Sequence, residues 1–139
     1  MLVIPDAQCQ AILTDLLTTT GPFNTIKVHL FQNNNTPTRQ SVLSDFTEAT
    51  FDGYTAIAPA GGVVAEDPVL GPFIQWPLAP FLSGGTITTP NTIYGYYVTD
   101  SGSATLYWAE LFASPVNVAT PLFPVPVLPT FGLVTQPPA

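Results

Sequence analysis

Apolar and polar positions are most clearly patterned between Thr92 and Phe112, TIYGYYVTDSGSATLYWAELF. Two runs rich in Tyr, Val, Leu and Trp flank the break Asp100-Ser101-Gly102-Ser103. β-Branched and aromatic residues fit a pleated surface, and Asp, Gly and Ser supply turn conformers, so the stretch predicts a β-hairpin. Ile93, Gly95, Tyr97 and Thr99 share one face of its first strand, and Tyr94, Tyr96 and Val98 the other. In the second run Leu106, Trp108, Glu110 and Phe112 alternate with Tyr107, Ala109 and Leu111. Both faces carry large apolar groups. Such a hairpin belongs in the middle of a sandwich, or at a face that meets another chain.

The remaining pattern supplies shorter elements. Cys9, Ile12, Leu13, Leu16 and Leu17 recur at helical spacing after Pro5-Asp6, and Gly21-Pro22 is a stop signal, which predicts a helix over 6–18. It serves either as a lid over an open end of the β core or as a docking helix. Thr25–Phe31 alternates as a half-buried strand with His29 on its polar side. Asn33–Thr38 reads as a loop. Ser44 is placed to cap a short helical turn, with Asp45 and Glu48 at its positive end. Tyr54–Ala58 and Thr86–Thr89 are expected as strands. Between Val63 and Pro80, Pro68, Pro72, Pro77 and Pro80 punctuate apolar pieces, which predicts an edge strand or a winding connection, with Phe73–Trp76 its best strand.

After Glu110 no charged residue occurs, and seven prolines punctuate the chain from Pro115 to Pro138. A free tail would expose Leu122, Phe123, Val125, Val127, Leu128 and Phe131, the reverse of the charged, apolar-poor composition of disordered tails. It should lie against the parent sheet or a neighbouring subunit. These six residues and Trp76 are the expected assembly contacts. The fold expected is mainly β, an antiparallel sandwich or barrel of about six to eight strands with a short N-terminal helix. A single domain over 1–139 is expected, with a helical segment at 1–22, a β core at 23–114 and the extended tail at 115–139.

Composition changes the functional picture more than the fold. Charged residues make up 8% of the 139, against about 25% in an ordinary soluble domain. Lys27 and Arg39 are the only bases beside nine acids, giving a net charge of -7. No basic patch can be built to displace counterions from nucleic acid or to hold an anionic membrane. With 46% hydrophobic residues, part of the surface is expected to meet protein rather than water. The opening MLVIPDAQC lacks the basic and long apolar regions of a secretory signal, which predicts synthesis in a cytoplasm.

Candidate chemistry is sparse. Cys9 is the only cysteine and His29 the only histidine, so neither a disulfide nor a cysteine-rich metal site is expected, and no cofactor or small-molecule substrate. His29 is the one ordinary base that could activate a hydroxyl or thiol. Paired acids for glycoside hydrolysis would come from Asp52, Glu66, Asp67, Asp100 and Glu110. Trp76, Tyr94 and Tyr96, if exposed, could stack on sugars.

The runs LFQNNNTPTRQSVLSDFTEATFDGY (30–54) and TIYGYYVTDSGSATLYWAELF, followed by VLPTFGL, resemble small structural proteins encoded in tailed-phage genomes. The resemblance spans residues 25 to 133 as a pattern of short motifs. Capsid cement (decoration) proteins are among them: β-rich, usually trimeric, and seated at local three-fold positions of the shell. The resemblance implies a non-enzymatic role in the virion, with further copies of the chain and a major capsid protein as partners. The alternative is a tail or head-fibre domain that binds host-surface glycans. No functional residue carries over, because cement contacts are surface patches rather than motifs.

Overall fold

The computed structural model describes residues 4–133. The chain is mainly β, as the alternation predicts: eight strands in three antiparallel sheets and one helix near the N-terminus. It divides into two compact units. One takes residues through Thr25, Ala60–Leu78 and those from Leu128 on; the other takes Ile26–Pro59 and Ala79–Val127.

The larger unit is built on the predicted hairpin. Strand β1 (Ile26–Phe31) pairs with β5 (Asn91–Asp100), which pairs with β6 (Leu106–Val118), so β5 is central. Ile93, Gly95, Tyr97 and Thr99 are buried on one face of β5, and Tyr96 and Val98 on the other. Phe31, Phe46 and Tyr97 form a core cluster against which Leu43, Leu106 and Leu111 pack. The β5–β6 register is broken twice. Val98 faces Trp108 while Thr99 faces Leu106, leaving Tyr107 as an extra residue. Ile93 faces Val116 while Gly95 faces Leu111, so Phe112 to Pro115 are spread opposite Tyr94. Bulges of this kind bend a strand and raise its twist. Gly95 is required here: a Cβ would strike the Glu110 carbonyl oxygen and stand 2.8 Å from the fully buried Phe31 ring.

The outer edge of β1 is closed by the segment that follows it. Val28 exchanges two backbone bonds with Ile57, Ala49 donates to the Leu30 carbonyl, and Leu30 N–H donates to the Tyr54 hydroxyl. Tyr54–Ala58 is therefore not a strand; it contributes one bridge, at Ile57. Thr86–Thr89 is likewise a bend. The Asp52 carboxylate accepts N–H bonds from Thr88 (2.5 Å) and Thr89 (2.9 Å), which holds those residues in a turn instead of a ladder.

The apolar tail folds on its own chain. Strand β7 (Pro124–Val127) pairs with β4 (Ala79–Leu82), placing Pro80 opposite Pro126 and Leu82 opposite Pro124. Proline has no N–H, so the ladder bonds belong to the Ala79/Val127 and Phe81/Val125 pairs, whose four side chains are buried. Three of the four outward backbone positions are then proline, which blunts both edges of the ribbon.

In the smaller unit β3 (Gly71–Gln75) lies between β2 (Val63–Asp67) and β8 (Thr130–Gly132). β3 is thus a central strand despite Pro72, against the expectation of an edge or a connection. The register explains it: β8 covers only Phe73–Gln75, so at Pro72 the strand has one neighbour and no second ladder to serve. Helix α1 (Asp6–Leu16) is two residues shorter than the spacing predicts and buries Cys9 and Leu13. Phe23 meets Trp76 and Phe131 edge-on, at centroid distances of 6.0 and 4.8 Å.

Candidate functional site

Cross-strand pairing puts His29 against Tyr97, and their rings stack 4.6 Å apart at 3°. The imidazole is buried and bonded at both nitrogens. Nδ1 lies 2.7 Å from Glu48 Oε1, and Nε2 lies 3.0 Å from Thr99 Oγ1. The Tyr54 hydroxyl donates to the same Glu48 oxygen at 2.9 Å. Glu48 is brought in by its bridge with Phe31, so it serves this network and not a helix start. The helical turn is Leu43–Asp45; Ser44 does not cap it, and the Asp45 carboxylate accepts the Val42 N–H at 2.9 Å.

Carboxylate, imidazole and hydroxyl in this order are the arrangement that activates a nucleophile. Access decides what it does here. Thr99 is 0% exposed and its hydroxyl donates to the Asp100 carbonyl at 2.8 Å, so no substrate atom can reach Oγ1 in this structure. The network instead ties β1, β5 and the residue-48 loop together through buried polar groups. Thr99→Val, equal in shape but without the hydroxyl, strips Nε2 of its partner. An unsatisfied buried group costs about 1–3 kcal/mol. The expected result is a lower urea midpoint with an unchanged circular dichroism spectrum.

The five candidate acids do not converge. Asp67 accepts the Val69 and Leu70 N–H groups at 2.8 Å, and Asp100 accepts those of Ala104 (2.8 Å) and Thr105 (2.7 Å). Like Asp52, both are turn-forming residues whose carboxyls are held below the usual value by backbone N–H donors. Glu110 Oε2 accepts the Tyr96 hydroxyl at 2.7 Å, and Glu66 meets the Gln10 amide at 3.3 Å. Among the described residues no group of three or more His, Cys, Asp or Glu side chains could hold a metal ion.

The expected assembly contacts divide by exposure. Trp76, Val125 and Val127 are inside their own chain, Phe123 and Phe131 are half-buried, and Leu122 (63%) and Leu128 (47%) are exposed. The most exposed large apolar side chains were not singled out by the sequence. Val69 (80%) and Leu70 (67%) form the turn between β2 and β3, fixed in shape by Asp67. Beside that turn Leu70, Pro72, Phe73, Thr130 and Leu133 line a mainly apolar cleft of 370 Å³. Two adjacent apolar residues at a hairpin tip are the available signal, but turn propensity alone reads VLG as a break.

No protein family, curated protein or solved structure was found that matches the chain. No helix among the described residues is long and apolar enough to cross a membrane.

Proposed function

We propose that this chain is a non-enzymatic virion structural protein that binds and stabilises a bacteriophage capsid from outside, as a cement or decoration protein. It would act with further copies of itself, as a homotrimer, and with a major capsid protein. The observation that carries this reading is the apolar β2–β3 tip: Val69 and Leu70 are held out by Asp67 next to an apolar cleft, in a chain with only 8% charged residues. A rigid exposed apolar tip costs solubility and is repaid only when covered by protein. Interfaces of about 1,600 Å² add stability without covalent chemistry. A glycan-binding reading would draw on Trp76, Tyr94 and Tyr96, but Trp76 and Tyr96 are only 1% and 4% exposed.

The test is co-sedimentation with empty shells of the phage whose genome encodes the chain. Wild-type protein should pellet with the shells and raise their melting temperature. Val69→Asp with Leu70→Asp should weaken binding at least about tenfold while leaving the fold intact, since each buried charge lacks a partner. Wild-type protein that stays in the supernatant sinks the proposal.

A further inference from the structure

Among the described residues two other than glycine have a positive φ, Ser103 at 58° and Leu122 at 55°. Ser103 belongs to the β5–β6 turn that the Asp100 carboxylate ties together. Leu122 has no such setting. A bulky side chain in the left-handed region is an outlier, and a turn position after proline with positive φ ordinarily takes Gly or Asn. The surroundings hold it there. Leu122 N–H donates to the Gly84 carbonyl at 3.1 Å, and Phe123 N–H to the hydroxyl of the buried Ser83 at 2.7 Å. Ser83 in turn donates its hydroxyl to the Thr120 carbonyl at 2.9 Å and its N–H to the Phe123 carbonyl at 3.1 Å. This locked turn displays an apolar side chain that is 63% exposed. Glycine would remove both the strain and the exposure, so leucine disfavours the free chain on two counts. Strain of this kind concentrates where a segment serves a contact.

A cleft that suits this side chain lies on the same compact unit. Phe112 and Val116 of β6 line 320 Å³ together with Phe123, Pro124, Val125 and Pro126. The Phe112 ring is steadied by the Tyr96 ring at 6.4 Å. Leu122 does not fill its own cleft: although Phe123 follows it directly, it stays mostly exposed. Charge indicates the occupant. A chain of net charge -7 repels its own copies wherever acids would face each other. Neither the 120–123 turn, nor Ser83 and Gly84, nor the residues lining the cleft include a charged side chain. A strongly charged partner would find no counter-charge here, whereas a second copy meets an equally uncharged surface. We propose that Leu122 of one copy inserts into the cleft lined by Phe112 and Pro126 of a second copy. Knob and cleft are different surfaces, so each copy gives one contact and receives another. Such head-to-tail contacts close into rings when the rotation permits.

This inference rests on the self-assembly in the preceding proposal and specifies its contact. Sedimentation velocity on full-length protein tests it with Leu122→Gly, Leu122→Met and Val116→Trp, each checked for native circular dichroism. Wild-type protein should sediment as an oligomer. Leu122→Gly should raise the dissociation constant at least about tenfold, the loss expected when a central apolar anchor is removed. Its urea midpoint, measured in dilute protein, should not fall, because glycine adopts a positive φ without strain. Leu122→Met keeps the apolar knob and should assemble as wild type, and a folded Val116→Trp, which fills the cleft, should dissociate as Leu122→Gly does. Wild-type protein that is monomeric at high concentration overturns the inference. So does a Leu122→Gly chain with a lowered midpoint, which would make Leu122 a residue of the fold and not of the contact. Assembly that survives Leu122→Gly or a folded Val116→Trp sinks this contact and leaves self-assembly standing. Shell binding is scored separately: its loss with assembly intact counts against the virion role and leaves this contact standing.

Discussion

Gly95→Ala is expected to leave little or no folded protein at ambient temperature. The added methyl would occupy the space of the Glu110 carbonyl oxygen on the paired strand and press on Phe31, which is 0% exposed. Neither neighbour can yield. The carbonyl is fixed by the β5–β6 register, and the Phe31 ring is held by Phe46 at 5.0 Å. Overpacking a tight core costs about 1–3 kcal/mol, and here backbone must move as well. Small domains hold only about 5–15 kcal/mol in total. Soluble yield and the urea midpoint read the effect. A Gly95→Ala chain within about 1 kcal/mol of wild type would show that β5 and β6 do not pack as described.

A second large effect is expected in alkali. Burial raises the hydroxyls of Tyr54, Tyr96 and Tyr97 above the ordinary 10.0, Tyr97 to about 12 and the other two further still. For Tyr96 the bond donated to Glu110 adds to burial, and for Tyr54 and Tyr97 the Glu48 charge does. A folded value above the unfolded one contributes stability that is complete below the unfolded value and declines as pH rises. Above about pH 10 the unfolded chain ionises three phenols that the folded chain keeps neutral. Each withdraws about 1.36 kcal/mol per pH unit, so stability should fall by about 4 kcal/mol per unit up to about pH 12. Tyrosinate absorbance and unfolding should therefore rise together in one cooperative step. Tyrosines that titrate smoothly near 10 in a chain that stays folded would contradict the burial of these rings.

The hairpin was legible because its signal is local: strict alternation on both sides of Asp-Ser-Gly-Ser, with Asp100 making the turn bonds itself. Proline misled at Pro72, where what matters is whether a second strand reaches that residue, and β8 stops one short of it. Thr86–Thr89 has strand propensity, yet the Asp52 carboxylate more than thirty residues away decides its conformation. The histidine network was half legible. His29 stood out as the only histidine, but Glu48 and Thr99 lie 19 and 70 residues from it in sequence, and only the Phe31–Glu48 bridge and the pairing of β1 with β5 bring them together. The exposed apolar tip was the least legible part. Exposure of Val69 and Leu70 follows from Asp67 holding their backbone, which turn propensity alone does not reveal.

The registers also set an order of events during synthesis. β1 waits for β5, whose Asp100 pairs with Ile26, and β3 waits for Phe131 to meet Ile74. A ribosome adding about 5–20 residues per second makes β1 several seconds before its neighbour exists. The first sheet lacks its full set of strands until Val118 has been made and the second until Gly132, and pairings this distant in sequence form slowly. A nascent chain holding Phe31, Trp76 and the Tyr94–Tyr97 run unpaired for that interval is a substrate for holding chaperones, and the yield of native protein in a host cell should rise with their supply.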